Sequence, residues 1–127
     1  MLLNESRISH CSADGILKVR VEGHTDVDSI VAYAYEYTDA WVQHACILYD
    51  LTQLDPNALT STAIKNLPES FASIVKLRAG GRTALLVQNN LELIAKFIVA
   101  QSETAHGLIE HRAFCSEDDA VSWLQAI

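Results

Sequence analysis

No apolar run in this sequence approaches the roughly 20 residues that a membrane-spanning helix needs, so no membrane span is expected. Basic residues are scarce as well. Nine Lys and Arg stand against sixteen Asp and Glu, for a formal charge of −7. Nucleic acid and anionic lipid both reward positive charge, so neither is an expected partner. There is no basic run and no aromatic set interleaved with Lys or Arg. The three cysteines, Cys11, Cys46 and Cys115, are odd in number and far apart. Each lies in or beside an apolar run, which reads as reduced core thiols in a cytoplasmic protein. The start, Met1 to Glu5, is too short and too quickly polar for a signal peptide. Low-complexity tracts, repeats and linkers rich in Pro, Gly or Ser are missing, so residues 1–127 read as one domain.

The signatures of chemistry are also missing. The chain has no Gly-x-Ser-x-Gly elbow, and no Ser or Cys with an evident His partner. Gly80-Gly81 precedes an apolar strand-like run, the reverse of the order in a phosphate loop or dinucleotide turn. His44/Cys46 and His111/Cys115 do not form a closed ligand set at zinc-site spacing. The sequence therefore points to no enzyme, no cofactor and no metal.

What is present is the pattern of a layered domain. Half of the residues are hydrophobic and a fifth are charged, as in an ordinary globular protein. Residues 7–12 and 16–22 read as two strands joined by the turn signal Asp14-Gly15, a hairpin. In the second, Leu17, Val19 and Val21 alternate with Lys18, Arg20 and Glu22. Thr25-Asp26-Val27-Asp28 has capping-box spacing and opens a helix to about 42, with Val27, Ile30, Val31, Ala34, Thr38, Trp41 and Val42 on one face. Cys46 to Leu51 suits a buried parallel strand. A helical region follows over 58–78, interrupted at Pro68 by a kink or by a second helix capped at Asn66. Thr83 to Gln88 is the clearest buried strand. Asn89 or Asn90 caps a helix to 105. Residues 108–115 give a last strand, and Ser116 caps a final helix with Ala120, Val121, Leu124 and Ile127 on its apolar stripe.

The order β-β-α-β-α-β-α-β-α predicts an α/β fold: a mostly parallel five-stranded sheet with an N-terminal β-hairpin and four or so helices. Ligands of open parallel sheets gather beyond the carboxyl ends of the strands. That rim collects His24, Thr25, Asp26, Asp50, Thr52, Asn89, Asn90 and Ser116. Of these, His24, Asn89 and Asn90 are candidates for a strand-end cleft, although Thr25, Asn90 and Ser116 are equally explained as caps. Asp50 and Asp55 form either a carboxylate pair or two acceptors for backbone N–H groups of their own loop. The 91–105 helix carries an inward stripe of Leu91, Ile94, Ala95 and Ile98. A second stripe of Leu93, Phe97 and Ala100 makes its apolar arc wider than one face needs. Tyr33 and Tyr37 flank the core stripe of the first helix. These side chains either pack within the monomer or form an apolar interface, and a homodimer is the expected assembly.

Two segments carry a resemblance. Asp50-Leu51-Thr52-Gln53-Leu54-Asp55-Pro56-Asn57-Ala58-Leu59 is similar to the segment of the anti-sigma-factor antagonists that reads Asp-Leu-Ser, two residues, Asp-Ser-Ser or Asp-Ser-Thr, then Gly and an apolar residue. Ala113 to Leu124, with its acidic cap and Trp123-Leu124, looks like the end of the same group. The chain thus resembles the SpoIIAA-like branch of the STAS domains, in topology over most of its length. The resemblance implies a non-catalytic regulatory or protein-interaction module whose contact surface comprises Asp50, Thr52, Asp55, Asn57, Thr60 and Ser61. The phosphorylated serine of the antagonists falls at Asn57, the residue before it at Pro56 and the glycine after it at Ala58, so that switch does not carry over at its usual place. SpoIIAA-like folds are also similar to lipid-carrying α/β domains. The alternative is therefore a module that binds or senses a small apolar, lipid-like ligand in a cavity between helices and sheet. The expected partner is accordingly an unidentified protein or a small apolar ligand.

Overall fold

The computed structural model describes residues 6–88, 91–105 and 109–126. β1 (Arg7–Ala13) and β2 (Ile16–Glu22) pair antiparallel. Their two-residue turn has both central residues at positive φ, Asp14 at 56° and Gly15 at 79°. That turn geometry follows the right-handed twist of the strands it joins. Four parallel strands then lie side by side: β2, β3 (Cys46–Asp50), β4 (Arg82–Leu86) and β5 (Glu110–Phe114). The sheet order is the chain order, β1-β2-β3-β4-β5. The fold is the α/β architecture expected, a mostly parallel five-stranded sheet with one antiparallel pair.

Residue parity assigns the two faces. Leu17, Val19, Val21, Ile47 and Leu85 point to the inner face. All three crossovers lie there: α1 (Val27–Glu36) with α2 (Thr38–Gln43), α3 (Ser61–Ser70) with α4 (Ala72–Leu77), and α5 (Glu92–Ala105). Ile16, Cys46, Leu48, Ala84 and Leu86 point to the outer face, where α6 (Glu117–Gln125) covers β3, β4 and β5. The guanidinium carbons of Arg82 and Arg112 lie 5.0 and 5.2 Å from the ring centre of Trp123 on α6, while Leu124 and Ala120 enter the outer core. The Trp-Leu pair of the C-terminal segment is thus the lid of the outer sheet face.

Several local expectations are corrected. The first helix begins at the Asp26 cap, whose carboxylate accepts from Ser29 N at 2.8 Å. Thr25 is buried instead, its hydroxyl donating to Glu22 O at 2.7 Å. The apolar stripe runs on past residue 36, but the backbone breaks at Tyr37 (φ −111°, ψ 38°) and separates α1 from α2. The second helical region passes through Pro68 and breaks at Phe71, not at a new cap on Asn66. Of the cysteines only Cys46 is a core thiol, and Cys11 and Cys115 are exposed. The caps expected at Asn89 or Asn90, and the Ile127 end of the last stripe, lie outside the described residues.

Candidate functional site

The carboxyl ends of β2, β3 and β4 come together at one rim. Asp50 ends β3 opposite Arg20 of β2. Its Oδ1 accepts from Thr52 N at 3.0 Å and from Thr52 Oγ1 at 2.6 Å. Its Oδ2 lies 3.3 Å from Arg20 Nη2. Asp55 caps a single 3₁₀ turn, Pro56–Ala58, by accepting from Asn57 N at 3.0 Å. Its other oxygen meets His24 Nδ1 at 3.2 Å. Each carboxylate thus accepts from its own loop with one oxygen and meets a side chain of the β2 end, Arg20 or His24, with the other. The Asn57 N–H and the His24 ring together hold the Asp55 carboxyl below its ordinary value.

Backbone pairing carries the rim beyond the strands. Gly23 N donates to Gln53 O at 3.0 Å, Asp55 N to Gly23 O at 2.9 Å, and Gln88 Nε2 reaches Thr52 O. Thr60 caps α3, its hydroxyl accepting from Ala63 N at 3.2 Å. Asn57 and Thr60 are exposed at the tip, whereas Asp50, Thr52 and Asp55 are half-buried. Ser61 opens α3, and its side chain is outside the description, as are Asn89 and Asn90. Among the described residues, His24 and the 50–60 segment thus share one rim. His24 pairs with Asp55 rather than Asp50. No group of three or more His, Cys, Asp or Glu is placed to hold a metal among the described residues.

The expected apolar interface divides. Leu93 projects from α5 with 82% of its surface exposed, and Ala100 is exposed too; the Phe97 side chain lies outside the description. Tyr33 is half-buried. Its hydroxyl lies 2.6 Å from His10 Nδ1, and its ring packs edge-on to His10 and Trp41 and at a tilt against Tyr37. Tyr37 rests on His10 at 4.8 Å while keeping an exposed edge.

A cavity of about 110 Å³ opens between the inner sheet face and the crossover helices. Ile30, Leu67, Phe71, Ile74, Leu85 and Ile98 make most of its wall apolar. Arg78, Thr83, Tyr49, Trp41 and His111 add polar groups. Arg78 is only 7% exposed. It donates Nε to His44 O at 3.1 Å, Nη1 to Thr83 Oγ1 at 3.1 Å, and Nη2 to Ala45 O at 3.2 Å and Arg82 O at 3.3 Å. Burial pushes its pKa down. Trp41 Nε1 donates to the Tyr49 hydroxyl at 2.8 Å, and burial pushes that phenol up. Arg78, Thr83 and Tyr49 were not singled out from the sequence as polar groups of a site. The signal was present, because Phe71, Ile74, Val75 and Arg78 sit at i, i+3, i+4 and i+7, placing a cation on the buried stripe.

No family model matches the sequence, and no curated protein matches it. Solved structures do match. One is an uncharacterised DUF3478-family protein with a SpoIIAA-like fold from Shewanella loihica PV-4, 16% identical, with a TM-score of 0.61 over 94% of this chain and 93% of that one. Another is an anti-sigma factor antagonist from Mycobacterium paratuberculosis, 15% identical, with a TM-score of 0.63 over 96% of both chains. At these identities the likeness is one of fold, and the chain has a SpoIIAA-like fold.

Proposed function

We propose that this chain is a non-catalytic regulatory or protein-interaction module of the cytoplasm that meets its protein partner through the 50–62 loop and the start of α3. The observation that carries the reading is the rigid presentation of this loop. Asp50 and Asp55 spend both carboxylate oxygens on internal contacts, one of them to His24 Nδ1, leaving Asn57 and Thr60 as the exposed tip. A preformed loop of this kind binds with a small ordering cost. A fold shared with an anti-sigma factor antagonist supports the regulatory side. Asn57, where the antagonists carry their phosphorylated serine, leaves the contact without that switch. The test is affinity capture with the unaltered chain and with the double variant Gln53→Arg/Asn57→Arg, two exposed positions outside the caps. A partner held by the first and lost by the second is the expected result; identical captures overturn the reading.

A second reading, binding of a small apolar ligand, is favoured by the cavity. Its volume decides the ligand's size. An apolar cavity of about 150 Å³ takes up benzene, so about 110 Å³ suits a short chain or a molecule of about that size. Benzene and pentan-1-ol are expected to raise the melting temperature in proportion to the logarithm of their concentration; a flat response discards this reading. A homodimer through the outward face of α5 around Leu93 is a further part of the proposal, and a monomer mass in sedimentation at high concentration discards it.

A further inference from the structure

We infer that the cavity takes a short carboxylate amphiphile, with its carboxylate received by the Arg78 guanidinium and the Tyr49 hydroxyl and its chain lying against Ile74, Leu85 and Ile98. This rests on the second reading above, that the cavity is a ligand site, and it names the ligand's chemistry.

The argument starts from unanswered donors. A guanidinium has five N–H groups and a permanent charge. Those of Arg78 meet three backbone carbonyls and one hydroxyl, all neutral acceptors, and among the described residues no carboxylate. Nη1 makes a single bond, to Thr83, so among the described residues one of its two hydrogens meets no acceptor. A charge taken out of water without a counter-charge is costly, even when its hydrogen bonds are largely made. Tyr49 repeats the pattern. Its oxygen accepts from Trp41, and its own hydrogen meets no acceptor among the described residues. Both side chains line the cavity, and the Arg78 charge acts on the Tyr49 phenol.

A positive charge and two donors with unfilled capacity thus belong to side chains on the wall of a mostly apolar space, beside Thr83, Trp41 and His111. The group that answers them is an anionic acceptor with two oxygens, one for the remaining Nη1 hydrogen and one for the Tyr49 hydroxyl, and hydrogen bonds to an ionised acceptor are the stronger kind. An amine would meet Arg78 as a like charge, and an alcohol would leave the charge unpaired. The chain's net −7 does not oppose this, because charges beyond about 8 Å are largely screened at physiological salt. The cavity volume matches a chain of about four carbons beside the carboxylate.

The test compares three probes of one length on the unaltered protein at pH 7 by ligand-observed NMR titration: pentanoate, pentan-1-ol and pentylammonium. The expected result is pentanoate binding at least about tenfold tighter than pentan-1-ol, the range of a hydrogen bond to a charged group, with pentylammonium weakest. Equal affinity for pentanoate and pentan-1-ol overturns the carboxylate inference and leaves the apolar cavity standing. No binding of any probe removes both. Arg78→Met is expected to keep pentan-1-ol binding and lose the preference for pentanoate. Since that variant also strips donors from three carbonyls, Tyr49→Phe is the second. It is expected to weaken pentanoate severalfold and leave pentan-1-ol unchanged. Pentanoate binding unaltered in Tyr49→Phe and in folded Arg78→Met overturns the assignment.

Discussion

His24 Nδ1 lies 3.2 Å from Asp55 Oδ2, and this contact joins the turn after β2 to the turn after β3. The backbone bonds between Gly23 and residues 53 and 55 run beside it. Side chains and main chain thus fix the same junction, at the root of the exposed 56–60 tip.

The Asp55 carboxyl is held below its ordinary value of 3.8, first by the Asn57 N–H and then by His24. A carboxyl depressed in the folded state stabilises that state above the unfolded value, and this contribution is lost as pH falls through the folded value. The Asn57 amide resonance is therefore expected to titrate with a midpoint below 3.8, and Asp55→Asn to abolish the transition. A midpoint at or above 3.8 in an NMR pH series would show that the turn is not held this way.

Gly81 sits where β4 begins, and a Cβ there would stand 2.4 Å from Ala45 O. That oxygen also accepts from Arg82 N at 2.7 Å, so it cannot withdraw without cost. Gly81→Ala is expected to destabilise by about 1–3 kcal/mol, the usual range for a forced steric insertion. Urea unfolding measures it, and an unchanged midpoint would mean that the two backbones are not in close approach.

Arg78→Lys keeps a cation but replaces a planar fork with a single point of donation. The carbonyls of His44, Ala45 and Arg82 cannot all be reached by one ammonium. A loss of about 1–3 kcal/mol is expected, the cost of buried acceptors left without donors. Equal stability of the two proteins in chemical denaturation would exclude the guanidinium as a tie between α4 and the starts of β3 and β4.

The thiols separate by exposure. Cys46 donates to Leu124 O at 3.3 Å under α6, and burial pushes its pKa up, whereas Cys11 and Cys115 are exposed. The thiolate is the reactive form. An aromatic disulfide reagent at neutral pH is expected to titrate two thiols per folded chain promptly, and the third only on unfolding. Prompt reaction of all three would place Cys46 at the surface.

The periodic elements were the legible part of this sequence. Leu17, Val19 and Val21 alternate on β2, and Ile74, Val75 and Leu124 keep helical spacing, because burial on one face leaves a period that can be read along the chain. Asp14-Gly15 marked its turn for an equally local reason. The breaks at Tyr37 and Phe71 were not legible, since the apolar stripe runs through each of them. The Asp50 and Asp55 loop was found at its true rim, but the pairing of Asp55 with His24 depends on Gly23 binding the 53–55 segment. The lining of the cavity was hardest to foresee. A cavity between helices and sheet was expected for the small-ligand alternative, but its polar lining was not read, although Arg78 sits on the buried stripe.

The strict strand order has a consequence for synthesis. Each strand docks beside the one made just before it, so a growing chain can assemble as it emerges, without holding an early segment open for a late one. Contacts between chain neighbours are the kind that form fast. Only the outer face must wait, because its cover, α6, is made last. A nascent chain stalled before residue 117 would display Ile16, Leu48, Ala84 and Leu86 to the cell, and that interval is when this protein most needs a chaperone.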